Sequence, residues 1–183
     1  MLIENEFSVQ APIENVWGTL LDVERVAPCM PGAELTETVD ERNWKGKVSI
    51  KFGPVGLSFA GTVEMVERDD ATHRVRLVAK GMEAKGKGAA SATITSWLEP
   101  GAAGATTVKM QADITMTGAV AQLSRGLLPD VSKRLTAEFA DRLQATMSGG
   151  AVPDGDGNSI NALGLGVKAV GGAIAGVFRK KDD

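Results

Sequence analysis

Histidine and cysteine, which act most readily as general base and nucleophile near neutral pH, occur only once each in this chain of 183 residues. The sequence contains one histidine, His73, and one cysteine, Cys29. His73 follows the acidic turn Asp69–Asp70, where we expect a solvent-exposed surface residue. Cys29 stands between Pro28 and Met30, with no histidine near it in sequence. We therefore expect Cys29 to be a structural thiol and not an activated nucleophile.

The wider motif search gives no support for catalysis. The sequence has no phosphate-binding loop, no paired-histidine zinc signature and no serine elbow. A single cysteine excludes an intramolecular disulfide and a multi-cysteine metal site, and the net charge of -3 gives no surplus of basic residues for nucleic acid. The N-terminus enters strand-like alternation at once, without an apolar signal segment, so we expect a cytoplasmic protein. From the motif search, we expect a protein that is not an enzyme.

The longest helical pattern runs from Gly118 to Met147. Its apolar residues recur every fourth position: Leu123, Leu127, Val131, Leu135, Phe139 and Leu143. Such a stripe winds round a helix of 3.6 residues per turn, which suits a helix lying obliquely across a curved sheet. Pro129 removes one backbone donor and clashes with the preceding turn, so we expect either a kink near Gly126–Pro129 or two abutting helices.

Before Gly118, most of the sequence alternates between apolar and polar residues with the period of β-strands. The predicted strands are Leu2–Val9, Glu34–Val39, Asn43–Phe52, Leu57–Arg68, His73–Met82, Lys87–Leu98 and Thr106–Thr117. Two short helices are predicted after the first strand, one beginning at Pro12 and one at Val23. The order predicts an α+β helix-grip fold, in which a curved antiparallel sheet of about seven strands wraps round the long C-terminal helix.

One face of the predicted sheet is apolar but short of side-chain volume. Its small residues are Gly46, Gly61, Ala79, Ala90, Ala92 and Ala112. Either these residues leave a dry cavity, or strong curvature brings the helix close to them; we favour the cavity. Its predicted lining is Trp44, Ile50, Phe52, Phe59, Met82, Met110, Met116, Leu123 and Leu127. No titratable residue falls in the inward set, so general acid–base catalysis has no group there.

The composition changes after Met147. Residues 148–159 read as a flexible linker between the domain, residues 1–147, and a glycine-rich tail, residues 160–183. The tail has an apolar seam and a basic end, and we interpret it as membrane-seeking; a disordered tail and a partner-docking helix remain alternatives. The predicted membrane-binding residues are Leu163, Val167, Val170, Ile174, Val177, Phe178, Arg179, Lys180 and Lys181.

Several stretches of the domain resemble the CoxG family, which is named for a subunit of carbon monoxide dehydrogenase. They are VAPCMPGAE at 26–34, KVSIKFGPV at 47–55, FAG at 59–61, GKGAA at 86–90 and GAVAQL at 118–123. The resemblance covers about residues 1–147. It implies the helix-grip fold of the START/polyketide cyclase (SRPBCC) superfamily, with an apolar pocket, and an association with membrane attachment of the molybdenum-containing carbon monoxide dehydrogenase. It brings no established catalytic residues.

Together, the pocket, the tail and the resemblance lead to one main hypothesis. We expect a non-catalytic accessory protein of a carbon monoxide dehydrogenase or a related molybdenum hydroxylase, peripherally bound to the inner face of the cell membrane. Its ligand would be an isoprenoid quinone such as menaquinone, carried between membrane and enzyme, with Ser96 and Gln122 as candidate polar contacts. The alternatives are a recruitment adaptor without a ligand and, less favoured, a small-molecule cyclase or hydrolase.

Overall fold

The structure is a computed structural model that describes residues 1–52, 55–124 and 126–150. The side chains of Phe52, Leu123 and Ser124 are outside this description. The predicted tail, with its membrane-binding residues from Leu163 to Lys181, and most of the predicted linker also lie outside the described residues.

Seven strands form one antiparallel sheet with the order β1-β7-β6-β5-β4-β3-β2. They are β1 (Leu2–Val9), β2 (Ala33–Thr38), β3 (Asn43–Phe52), β4 (Val55–Asp69), β5 (Arg74–Glu83), β6 (Ala89–Pro100) and β7 (Thr106–Met116). Each strand from β2 to β6 pairs with the next along the chain, and β1 pairs with β7. The sheet is therefore a meander with β1 added at one edge, as the alternation predicted.

The helices lie in two groups along the chain. The α-helices are α1 (Ile13–Leu21), α2 (Val23–Val26), α3 (Ala119–Ser124) and α4 (Leu128–Met147), with 3₁₀ turns at Ala27–Cys29 and Ala102–Gly104. Asp22 caps α2 by accepting a hydrogen bond from the backbone N–H of Arg25. The predicted helix-grip class, with two short helices after the first strand and a long C-terminal helix, is confirmed.

The predicted break in the C-terminal helix takes the form of two helices. Pro129 lies in the first turn of α4, where the backbone N–H has no partner inside the helix and its loss costs little. The chain therefore places the proline at a helix start, which avoids the clash that a continuous helix would suffer.

The larger core lies between α4, α1 and the β1 edge of the sheet. Its buried side chains are Val9, Val16, Trp17, Cys29, Leu98, Val108 and Leu143. The rings of Phe7 and Phe139 meet edge-on at 5.7 Å. Nearer the start of α4, the Ser132 hydroxyl accepts a hydrogen bond of 2.6 Å from the Asn5 amide. These contacts hold α4 along β1.

A second, separate core lies near the start of α3. Leu57, Phe59 and Val120 are buried there, with Val48, Val55, Ala90 and Met116 packed around them. The backbone N–H of Val120 donates to the Lys87 carbonyl, which ties α3 to the turn between β5 and β6. The inner face of the sheet is thus anchored to helices in two places, and the region between these places is the candidate site.

Candidate functional site

The strand register aligns the small inward-facing residues into neighbouring rows. One row crosses four strands as Gly46, Gly61, Gly81 and Ala90. The adjacent row runs Trp44, Val63, Ala79, Ala92 and Ile114. Because side chains of one row point to the same face, the two rows make a shallow, apolar region with little side-chain volume.

Incomplete burial of inward-facing apolar side chains shows that this region is not filled. Val63, Leu77, Ile94, Met110 and Ile114 are only half-buried. A residue at the centre of a packed core would be almost fully buried, as Leu143 and Val120 are in the two cores. The two rows and these neighbouring half-buried side chains therefore form the floor of an open apolar space between the cores, which we call the hollow.

Most of the predicted lining residues with a described side chain lie on the inner face. Trp44 and Phe59 are buried there, and Ile50, Met110 and Met116 are half-buried. Trp44 lies in the second row, and Met116, opposite Ala90, ends the first row while packing against the second core, to which Phe59 belongs. Met110 lies opposite Ser96, two rows away from the row of Trp44. Phe52 is the last residue of β3 and pairs with Val55, whereas Leu123 lies in α3. The side chains of Phe52 and Leu123 are outside the described residues.

Two predicted lining residues are placed differently. Met82 lies in register with Ala60 and Ala89, on the outer face of the sheet, and is 72% exposed. It has the opposite parity to Gly81, so it cannot line the hollow. Leu127 lies between the end of α3 and the start of α4, and it is 48% exposed.

The expectation that no titratable residue faces inward is wrong at Glu83. It follows Gly81 by two positions at the end of β5, lies opposite Phe59, and is 4% exposed. Its carboxylate accepts hydrogen bonds from the backbone N–H groups of Lys85, at 2.8 Å, and Lys87, at 3.1 Å. Burial acts to raise the pKa of Glu83, but these N–H groups and the Lys87 charge outweigh it and hold the pKa below the ordinary value.

Glu83 therefore organises the turn between β5 and β6 and stays ionised. An ionised carboxylate with its oxygens engaged by backbone donors is poorly suited to abstract a proton. The sequence held a signal for its position, because positions 79, 81 and 83 share one face of the strand. The predicted strand stopped at Met82, one residue too early to include it.

His73 is not the exposed surface residue that the sequence predicted. Its side chain is 16% exposed, and Nε2 lies 3.0 Å from a Glu14 carboxylate oxygen. The ring meets the Trp17 ring edge-on at 5.6 Å, and the Trp17 indole donates to Asp70 at 2.8 Å. The hydrogen bonds from Arg68 and Trp17 hold the pKa of Asp70 below its ordinary value. These contacts of Glu14 and Trp17 with His73 and Asp70 fasten α1 to the turn between β4 and β5.

Cys29 is fully buried in the larger core, as expected of a structural thiol. Its Sγ atom lies 3.4 Å from the Thr146 hydroxyl of α4. Within the described ranges, no group of three His, Cys, Asp or Glu side chains is arranged to hold a metal ion. None of the helices described there combines the length and the apolar character needed to cross a bilayer.

The sequence matches the CoxG family, described as a subunit of carbon monoxide dehydrogenase, over residues 6–148. The chain belongs to this family. The match covers the whole sheet after the first residues of β1, all four helices and both cores. No curated protein matches the sequence significantly.

Solved structures similar to this CoxG-family chain share its fold at low identity. A conserved protein from Geobacillus kaustophilus is 20% identical, with a TM-score of 0.72 over 81% of this chain and 96% of its own. An aromatase/cyclase from a Streptomyces species is 15% identical, with a TM-score of 0.59 over 82% and 99%. Norcoclaurine synthase from Thalictrum flavum is 14% identical, with a TM-score of 0.54 over 79% and 91%. These likenesses show the helix-grip fold and not the activity.

Proposed function

We propose that this protein is a non-catalytic accessory protein of a molybdenum carbon monoxide dehydrogenase and that it binds a lipophilic ligand in the hollow. The observation that carries the proposal is the set of half-buried apolar side chains on the inner face of the sheet, between two closed cores. A protein gains stability by burying such surface, at about 25 cal/mol per Å². A ligand that covers the hollow would provide this burial, which favours a bound apolar molecule.

The chemistry of the hollow favours an isoprenoid quinone such as menaquinone. Val63, Ile94 and Ile114 offer an apolar surface beside the buried ring of Trp44, which suits a flat ring with a hydrocarbon tail. A charged ligand would find no partner among these side chains. Ser96 lies on the inner face, but its hydroxyl donates to the Lys109 carbonyl at 3.1 Å, so its remaining hydrogen-bonding capacity is that of an acceptor.

The proposed role is to carry the quinone between the membrane and the dehydrogenase, with the tail at residues 160–183 contacting the membrane. Family membership supports the enzyme partner, because the family is named for a subunit of carbon monoxide dehydrogenase. A quinone dissolved in a bilayer is a remote acceptor for a soluble enzyme. A protein that removes the quinone from the bilayer and shields its apolar surface would solve this problem.

The test combines ligand recovery with a substitution that fills the hollow. The purified full chain is extracted with organic solvent and then titrated with menaquinone, with the fluorescence of Trp44 and the other tryptophans as readout. The variant Ala92→Phe places a large ring in the hollow from β6. Thr93→Phe is the matched control, because Thr93 is the next residue, is exposed and faces outward.

We expect saturable menaquinone binding to the parent and Thr93→Phe proteins and at least a tenfold weaker affinity in Ala92→Phe, with thermal stability nearly unchanged. The ring then occupies space that was empty. An adaptor with a filled core would behave differently: no quinone would bind, and Ala92→Phe would lose about 1–3 kcal/mol of stability through overpacking. That result would refute the carrier function.

A further inference from the structure

The outer face of the sheet carries a group of lysines without acidic partners. Lys47, Lys51, Lys80 and Lys85 lie on β3, on β5 and just after β5. Among the described residues, none of the four has a carboxylate oxygen within ion-pair distance. Glu34 lies opposite Lys47 in the register but forms no ion pair with it. We call these four lysines, together with Met82, the lysine face.

Small side chains, among them Ala60, lie between these lysines. Lys47, Ala60 and Met82 follow one another across β3, β4 and β5, so Met82 projects from the middle of the face. An open cleft of about 300 Å³ lies at this end of the sheet, lined on the outer side by Lys51, Lys85 and the hydrogen-bonded hydroxyls of Ser49 and Ser58 and on the inner side by Ile50, Leu57 and Glu83. The Glu83 carboxylate is engaged by the backbone N–H groups of Lys85 and Lys87 and forms no ion pair with these two lysines. The face therefore combines positive charge, hydroxyl groups and one exposed large apolar side chain.

The opposite end of the same outer face has the usual paired charges. Lys109 lies 2.8 Å from Glu99, and Arg76 lies 3.2 Å from Glu67. Arg74 stacks over the Trp97 ring at 5.9 Å. Within the described part of the sheet, the lysines without an ion-pair partner therefore lie toward one end of this outer face, although Lys45 at that end is paired with Glu37 at 2.9 Å. The total charge of the chain is -3. Such a local positive field in an acidic protein attracts a negatively charged surface.

The composition of the face favours a lipid surface over a protein partner. Protein interfaces are enriched in arginine and depleted of lysine, whereas all four basic residues here are lysines. Lysine is a flexible point charge on an apolar stem, which suits attraction to phosphate head groups without fixed geometry. Met82, at 72% exposure, is placed to enter the boundary between head groups and acyl chains.

We propose that the lysine face binds directly to a bilayer surface rich in anionic lipid. The folded domain then contacts the membrane independently of the tail and in one orientation. Strand β4 carries Leu57 and Phe59 on its inner side and Ser58 and Ala60 on its outer side. The docked strands therefore adjoin the end of the inner face that holds the second core. This inference does not depend on the identity of the ligand.

The first measurement reports whether this face touches the membrane. Met82→Cys is labelled with an environment-sensitive fluorophore in the full chain, since Cys29 is fully buried and does not compete for the label. Ala137→Cys is the matched label on the exposed side of α4. With phosphatidylglycerol-containing vesicles, we expect a blue shift and protection from an aqueous quencher at position 82 and neither at position 137.

The second measurement tests the charges by vesicle sedimentation. Lys80→Gln with Lys85→Gln removes two charges of the face, and Arg42→Gln with Lys133→Gln removes two exposed charges elsewhere. A lysine near an anionic surface contributes about 1 kcal/mol, so the first pair should bind vesicles about 25-fold more weakly. The control pair should bind like the parent, and added salt should reduce the difference by screening.

Each outcome decides the proposal. If the full chain sediments with vesicles while the probe at position 82 stays in water, the tail alone makes the contact and the proposal is wrong. Failure to bind anionic vesicles, or equal weakening by both pairs, also overturns it, as does binding of the face to an acidic protein in place of lipid. Menaquinone recovery from the same variants should equal that of the parent, which separates this test from that of the carrier function.

Discussion

Gly61 should be the least replaceable glycine in the sheet. It lies between Gly46 and Gly81 in the row of small residues. A Cβ atom at position 61 would stand 2.7 Å from the Gly81 Cα atom and closer still to the Lys80 carbonyl oxygen. Both obstacles are backbone atoms, so no change of rotamer can relieve them. A Cβ at position 81 would meet the Phe59 Cβ at 3.3 Å, which a small shift accommodates.

These distances predict unequal costs for the same chemical change. Gly61→Ala forces β4 and β5 apart and should lose about 3 kcal/mol, the upper range for overpacking. Gly81→Ala should stay within about 1 kcal/mol, because its small steric cost is offset by the lower entropy of the unfolded chain. At the size of this protein, Gly61→Ala should lower the thermal midpoint by roughly 6–12 °C.

Urea unfolding followed by tryptophan fluorescence gives the free energies of both variants, and calorimetry gives the midpoints. The slope of free energy against urea should match the parent, since the folded state remains compact. Equal stability of the two variants would refute the argument, because it would mean that the close approach of β4 and β5 at Gly61 does not exist.

Two further predictions concern buried polar groups. Glu83→Gln should weaken the turn between β5 and β6, because the Glu83 carboxylate accepts hydrogen bonds from the N–H groups of Lys85 and Lys87. The pKa of Glu83 is lowered in the folded protein, so the carboxylate stabilises the fold above its ordinary pKa of 4.5, and this stabilisation is lost as the pH falls through the lowered pKa. Urea titrations on both sides of that pH should therefore show a smaller loss of stability on acidification in the variant than in the parent. Cys29, buried against Thr146, should react with a thiol reagent only on unfolding, so its labelling rate should follow the urea transition; fast labelling of the native protein would contradict its placement.

The sequence predicted the elements well where one face of a strand is mostly apolar. The bounds of β1 and β3 are the predicted ones, because their inward positions are apolar apart from Asn5 and Gly46, and their outward positions are polar apart from Leu2. It could not predict how the rows align across strands. Register shifts between Leu35 and Glu37 and between Met65 and Glu67 decide that alignment, and neither has a sequence signal of its own.

Errors at the site have the same origin. The sequence predicts Met82 as a lining residue, but its parity is opposite to that of Gly81, which places it on the outer face of the sheet. Its neighbours across the outer face are Ala60 and Lys47, which are distant in sequence and which only the strand register brings next to it. His73 was predicted to be exposed because it follows a turn. Its contacts with Trp17 and Glu14 come from α1, nearly 60 residues earlier.

The stretch from Gly118 to Met147, whose sequence carries one amphipathic pattern, serves two cores. Val120 on α3 completes the core with Leu57 and Phe59, whereas Leu143 on α4 completes the core with Val9 and Val16. A straight helix that closed both cores would draw its middle toward the small residues of the sheet and bury them. Starting a new helix at Leu128, with Pro129 in its first turn, lets each helix follow its own core. The break in the helix and the glycine row of the sheet therefore act together to keep the hollow open.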